Sequence, residues 1–278
     1  ESGRQVTCKN NLRQIAVALS NYHTANEMLP AGANFPSGMG PTWAASILPH
    51  IEKKNVFERF DFSKHISHAD NRVAVQAIIP TFICPSNCSG GEAALQGGRI
   101  QQGQCNPERS MGLWYPGSMG PTRDGTNPSV SCVFCPDGVG SYCCADTADY
   151  GCCGNNKKPG VGLFDRSIVA VRFSQVRDGL SNTIMVGETI PDHCTFNGAY
   201  NHNFPIAGTT IPINTMLQSD EGVNNLWYTA CGFKSDHPGG ALFAMADGSI
   251  HFFTELIDYQ TYNELGSRDG KEAVRIPQ

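Results

Sequence analysis

No stretch of this 278-residue chain approaches the ~18–20 consecutive apolar residues that a bilayer-crossing helix needs, and the chain does not open on a secretory signal. Basic clusters are also missing. The 20 Lys and Arg residues are scattered, with nothing longer than the pairs Lys53-Lys54 and Lys157-Lys158, so no electrostatic footprint for nucleic acid is present. Only 16% of residues are charged and the net charge is a mild −5. There is no HExxH helix, no phosphate-cradling Walker loop and no dinucleotide fingerprint. Ser118, in "YPGSMGP", lacks the G-x-S-x-G spacing and the strand-to-helix elbow that would expose a nucleophile.

What the chain has in quantity is glycine (30), proline (17) and cysteine (12), a composition that implies many loops. The cysteines are Cys8, Cys84, Cys88, Cys105, Cys132, Cys135, Cys143, Cys144, Cys152, Cys153, Cys194 and Cys231, and nine of them fall from 84 to 153. An even number crowded into polar, Gly-rich sequence points to disulfides that staple a segment too polar to hold itself by burial, and hence to an oxidising compartment. Zinc is the competing reading, because Cys84-x3-Cys88 and Cys132-x2-Cys135 have ligand-like spacing. The adjacent pairs Cys143-Cys144 and Cys152-Cys153 fit one tetrahedral site poorly. Connectivity is not legible, since twelve cysteines allow on the order of ten thousand pairings.

Apolar periodicity organises the rest. In residues 4–30, Cys8, Leu12, Ile15, Leu19 and Tyr22 recur at helical spacing, giving an amphipathic helix that should stop before Pro30. It starts at Glu1 without a convincing cap, as if the chain were cut within a longer helix. "TWAASILPHIEKKNVFERFDF" reads as helical with a break at Pro49, and "HADNRVAVQAIIPTFICP" as a helix over about 69–78 followed by a short strand. Residues 85–160 show no period and are expected to be a cross-linked surface insertion; 190–225 form a second irregular stretch. Strands are expected over 183–188 and in "LWYTACG". Two apolar runs flanking Asp247-Gly248 predict a hairpin with a type I′ turn. A last helix carries Tyr259, Tyr262 and Leu265 on one face. The expected class is α+β: a long N-terminal helix packed on an antiparallel sheet, in one composite domain. Its parts are a helical region 1–84, a cysteine-rich insertion 85–160 and a sheet region 161–278.

Five ordered blocks, "CKNNLRQIAVALSNYHTANEMLP", "WAASILPHIE", "FICPS", "DGLSNTIMVGE" and "HPGGALFAMADGSIHFF", resemble the bacterial prepilin-type family marked by a His, nine residues and Asp-Gly, here His237, Asp247 and Gly248. The resemblance is to type IV pilins and type II secretion pseudopilins. It implies a pilin-like head, a leader and an apolar half-helix upstream of Glu1, and an inner-membrane-anchored precursor that assembles with copies of itself or related subunits. Leu12, Ile15 and Leu19 would then be the helix core. Cys8 and Cys84 lie in matched blocks rather than in the insertion, and on that ground are expected to pair.

The remaining candidates have structural and chemical readings. His237 and Asp247 mark the two ends of a strand and should lie roughly 20–30 Å apart, too far for a dyad; His237 is expected to hydrogen-bond backbone at the hairpin entrance. His65, His68 and Asp70 could share a metal if their segment turns helically, but a solvated loop into a helix is the simpler reading. His23 fits packing or capping at a helix end. Asp146, Asp149 and Asn155 are hard oxygen donors suited to calcium, or simply turn formers. Trp43, Trp114 and Trp227 suit core anchors better than a glycan platform. No cofactor is expected, calcium apart. The expected function is a non-enzymatic structural subunit of an extracellular or cell-surface filament or pseudopilus. The alternatives are an extracellular glycan-, protein- or calcium-binding module and, behind it, a secreted hydrolase using His65, His68 or His237.

Overall fold

A computed structural model describes residues 1–35, 37–87, 94–97, 109–121, 161–166, 168–194, 196–218, 230–270 and 276. Helix α1 spans Ser2–Asn26 and ends where Glu27 turns into the left-handed region at φ 60°. Its buried stripe is Cys8, Leu12, Ile15, Ala16, Ala18 and Leu19, while Val6 and Val17 face solvent. Among the described residues no helix is long and apolar enough to cross a membrane.

Short turns of helix follow. Thr42 Oγ1 accepts a hydrogen bond from Ala45 N and caps α2 (Trp43–Ser46). The chain then tightens into a 3-10 turn over Leu48–Ile51, where Pro49 sits in the first turn and loses no hydrogen bond, and continues into α3 (Lys54–Phe57). The helix expected over about 69–78 is only a 3-10 turn, Ala69–Asn71, and one turn of α4, Arg72–Val75. The strand expected after it is instead a 3-10 turn, Pro80–Phe82. Proline holds Ile79 extended at φ −112°, ψ 100° and starts a new turn rather than a ladder.

Strands β1 (Leu95–Gly97) and β2 (Arg109–Met111) pair antiparallel as a small separate sheet. The main sheet contains β3 (Gly117–Gly120), β4 (Ile184–Gly187), β5 (Ile206–Gly208), β6 (Gly240–Met245) and β7 (Ile250–Thr254), in the order β5-β3-β4-β6-β7. All pairings are antiparallel except β3 with β5, which is parallel. Helix α1 packs across β4, β6 and β7, and a final short helix, α5 (Tyr259–Glu264), contributes Tyr262 to the opposite side. Strand β6 divides between the two layers by simple alternation. Leu242 and Ala244 join the core under α1, whereas Ala241, Phe243 and Met245 join Phe233, Phe253 and Tyr262. A strand covered on both faces accounts for the unbroken apolar run "ALFAMA".

Three expectations are corrected. Residues 85–160 are not wholly a surface insertion, because 110–120 lie in the core: Leu113, Trp114 and Tyr115 are fully buried and β3 is an inner strand. The stretch 190–225 likewise supplies β5 and the buried Tyr200, Phe204 and Ile206. The β6–β7 turn is not type I′, which needs two consecutive positive φ values; only Gly248 has one, at 86°. Gly248 N donates to Met245 O at 2.9 Å and Met245 N to Ser249 O at 2.9 Å, the pattern of a type I turn closed by a left-handed glycine. Most of "LWYTACG" lies outside the described residues.

Candidate functional site

Four of the five sequence blocks send one side chain each to the same buried point. Cys8 comes from the second turn of α1, Cys84 from the residues after the Pro80–Phe82 turn, Glu188 from the end of β4, and His237 from the loop entering β6. Cys8 and Cys84 form a disulfide with a Cα–Cα distance of 5.3 Å. Cys84 Sγ lies 3.5 Å from Glu188 Oε1 and 3.9 Å from His237 Nε2.

His237 does not bond backbone through its ring, as the sequence suggested. Its Nε2 is 3.2 Å from Glu188 Oε1 and its Nδ1 is 2.7 Å from Glu1 Oε1, so the imidazole bridges two carboxylates; its own backbone N–H donates to Ser235 Oγ. The correction has a physical reason. A carboxylate as deeply buried as Glu188 needs a charge-bearing partner, and the imidazole is the one within reach. Burial works against the imidazolium, but Glu188 and then Glu1 favour it more strongly, and the His237 pKa is raised. Glu188 Oε2 accepts from Leu242 N at 2.8 Å, which locks the carboxylate onto β6. Glu1 is held in turn by Arg4 and Ser86, and the Arg4 guanidinium first, then His237, bring its carboxyl down to about 2. Burial, reinforced by the negative charge of Glu188, pushes the neighbouring Tyr115 phenol far upward.

Asp247 is elsewhere. It sits at the hairpin tip, where its carboxylate accepts from Ser249 N and Oγ, and its N–H donates to Leu180 O. Among the described residues His237 and Asp247 therefore share no partner, and Gly248 serves the turn. Sequence reasoning missed Glu188 and Glu1. The available signal was an acid placed directly after the apolar run "TIMVG", where a strand end bound for solvent and one bound for the interior look alike.

The other candidates do not converge. His65 Nδ1 is 2.6 Å from Ser67 Oγ and its ring meets His202 edge-on, while His68 Nδ1 accepts from Asp70 N and Asp70 pairs with Lys64. His23 stacks on Phe173 and accepts from Phe173 N. Ser118 is fully buried in β3, its Oγ accepting from Gly120 N. Trp43 and Trp114 are core residues; Trp227 lies outside the described residues. So do Asp146, Asp149, Asn155, Cys88, Cys105, Cys132, Cys135, Cys143, Cys144, Cys152 and Cys153. Cys194 and Cys231 form a second disulfide, with a Cα–Cα distance of 5.1 Å. Leu12, Ile15 and Leu19 are all fully buried under the helix.

The chain belongs to a family described as protein of unknown function (DUF1559; SBP_bac_10), whose model matches residues 1–260. No curated protein and no solved structure matches it.

Proposed function

We propose that this member of the DUF1559 family is the globular head of a pilin-like subunit, a non-enzymatic building block of an extracellular or cell-surface filament or pseudopilus. The observation that carries the reading is the way α1 is fastened. A 25-residue helix lies on the antiparallel part of a mixed sheet, β4, β6 and β7, with one face buried and the other, including Val6 and Val17, left to solvent. Near its N-terminal end it is joined to the body by the Cys8–Cys84 disulfide and by the Glu1–His237 contact. In a subunit held in a fibre by an upstream continuation of this helix, tension would enter the head at that end. A covalent link one or two turns in would pass the load to the sheet without peeling the helix away.

The reading also takes in the prepilin-type resemblance of the five blocks, four of which meet at this fastening. Its partners are copies of itself or related subunits, and an apolar upstream helix would anchor the precursor in the inner membrane before assembly. The test is the full gene product. A short basic leader followed by about twenty apolar residues ahead of residue 1, together with surface fibres labelled by antibody to the head in electron micrographs, is expected. A gene product without an apolar upstream segment, confined to the cytosol with reduced cysteines, would sink the proposal.

A further inference from the structure

We propose that Cys8, Cys84, Glu188 and His237 form a tetrahedral zinc site when the Cys8–Cys84 disulfide is opened, so that one buried cluster can be closed either by a sulfur–sulfur bond or by a metal ion. The inference does not depend on the filament reading.

The donor set comes first. Two thiolates, an imidazole and a carboxylate are the ligand types zinc takes, and one atom from each of these four side chains lies within 4.8 Å of the others. With Zn–N and Zn–O bonds of about 2.0–2.1 Å and Zn–S of about 2.3 Å, the edges of a tetrahedral site are about 3.3–3.8 Å. Three edges are already near that size: His237 Nε2 to Glu188 Oε1 at 3.2 Å, Cys84 Sγ to Glu188 Oε1 at 3.5 Å, and Cys84 Sγ to His237 Nε2 at 3.9 Å. The two cysteine Cα atoms are 5.3 Å apart, so side-chain rotation is enough to separate the sulfurs to an edge.

The outer shell supports the same conclusion. A metal-bound imidazole usually gives its other N–H to a carboxylate, and His237 Nδ1 meets Glu1 Oε1 at 2.7 Å. The Glu188 oxygen not aimed at the cluster is held by Leu242 N at 2.8 Å, leaving Oε1 to the centre. All four ligand residues are buried, and a protein interior needs no carboxylate–imidazole pair to shield a disulfide. The pair is accounted for if it completes a coordination sphere.

The chemistry balances with a dithiol as the reductant. Two electrons pass to the Cys8–Cys84 bond, the dithiol becomes its own disulfide, and its two protons end on the Cys8 and Cys84 sulfurs. On metal binding those two thiol protons and the Nε2 proton of His237 go to solvent, while Nδ1–H stays directed at Glu1.

The chain, folded anaerobically from the reduced state with equimolar Zn2+ and then dialysed, is expected to retain zinc in this site. Substituting Co2+ should give the intense visible bands of a tetrahedral ion and near-ultraviolet thiolate charge transfer. Cys8→Ala/Cys84→Ala should remove one equivalent of metal, and His237→Ala and Glu188→Gln should change the Co2+ spectrum. Glu1→Gln should weaken binding about 10–100-fold with the spectrum kept. The double cysteine variant separates this site from metal held by the other ten cysteines of the reduced chain. The proposal is overturned if the reduced chain takes up no metal, if it fails to fold in the presence of zinc, or if the double variant holds as much metal with the same spectrum.

Discussion

His237 Nε2 and Glu188 Oε1 stand 3.2 Å apart with both side chains withdrawn from solvent, one at the entrance to β6 and the other at the exit of β4. The pair joins neighbouring strands at the end of the sheet where α1 begins, and gives the histidine of the His–x9–Asp–Gly pattern a partner forty-nine residues earlier in the chain.

Removing one member should cost far more than removing both. His237→Ala leaves Glu188 a buried carboxylate with Leu242 N as its hydrogen-bond donor among the described residues, and is expected to lower stability by about 3–5 kcal/mol in urea unfolding of the oxidised, metal-free protein. Glu188→Gln in the same background should recover part of that loss. If the single and double variants differ by less than about 0.5 kcal/mol, the two residues are not coupled.

The two disulfides should differ in the same assay. The Cys8–Cys84 bond closes a loop with a sequence separation of 76, for which loop-closure entropy gives about 4 to 5 kcal/mol. The Cys194–Cys231 bond, with a separation of 37, gives about half a kcal/mol less. Alanine pairs at each, compared by midpoint and slope, should rank in that order.

Acid should destabilise the protein through His202. Its burial, then the charges of His65 and Arg166, bring its pKa down to about 4 from an ordinary 6.5. Between those values the unfolded chain binds the proton and the native one does not, so the contribution is complete above about 6.5 and is lost as pH falls through about 4. The loss is on the order of 3 kcal/mol. His65, stacked edge-on against it and itself lowered by burial, acts in the same direction. In His202→Asn the slope of stability against pH in this window should flatten; an unchanged slope would assign the acid sensitivity to other groups.

Gly187 should tolerate no side chain. A Cβ there would come within 2.6 Å of ring carbons of both Phe233 and Phe243, which are packed in the second core layer. Gly187→Ala is expected to cost about 1–3 kcal/mol, read from the thermal midpoint, and Phe243→Leu in the same chain should return some of it.

The sequence disclosed a helix with one apolar stripe and strands whose apolar runs flank a turn signal. Helix α1 shows its stripe because a single sheet face lies beneath it, and β6 and β7 show themselves as apolar runs broken by a turn. Strand β3 was hidden. "GSMG" has no alternation to find, because the strand is buried throughout and Gly117 lies so close to Phe164 that a Cβ would come within 2.6 Å of its ring. The cluster was half legible: Cys8, Cys84 and His237 stood out by type, but Glu188 did not. Nothing local marks an acid that will be met by groups from distant parts of the chain.

The Cys8–Cys84 bond also settles what a single backbone cut would do. Between those positions some side chains, Met39 among them, stand half open to solvent, and a protease would have to cut in this stretch to test the link. A nick there would divide the polypeptide in two without letting the pieces part: the leading fragment would still be sewn to the trailing one, and the break would be visible only on a reducing gel.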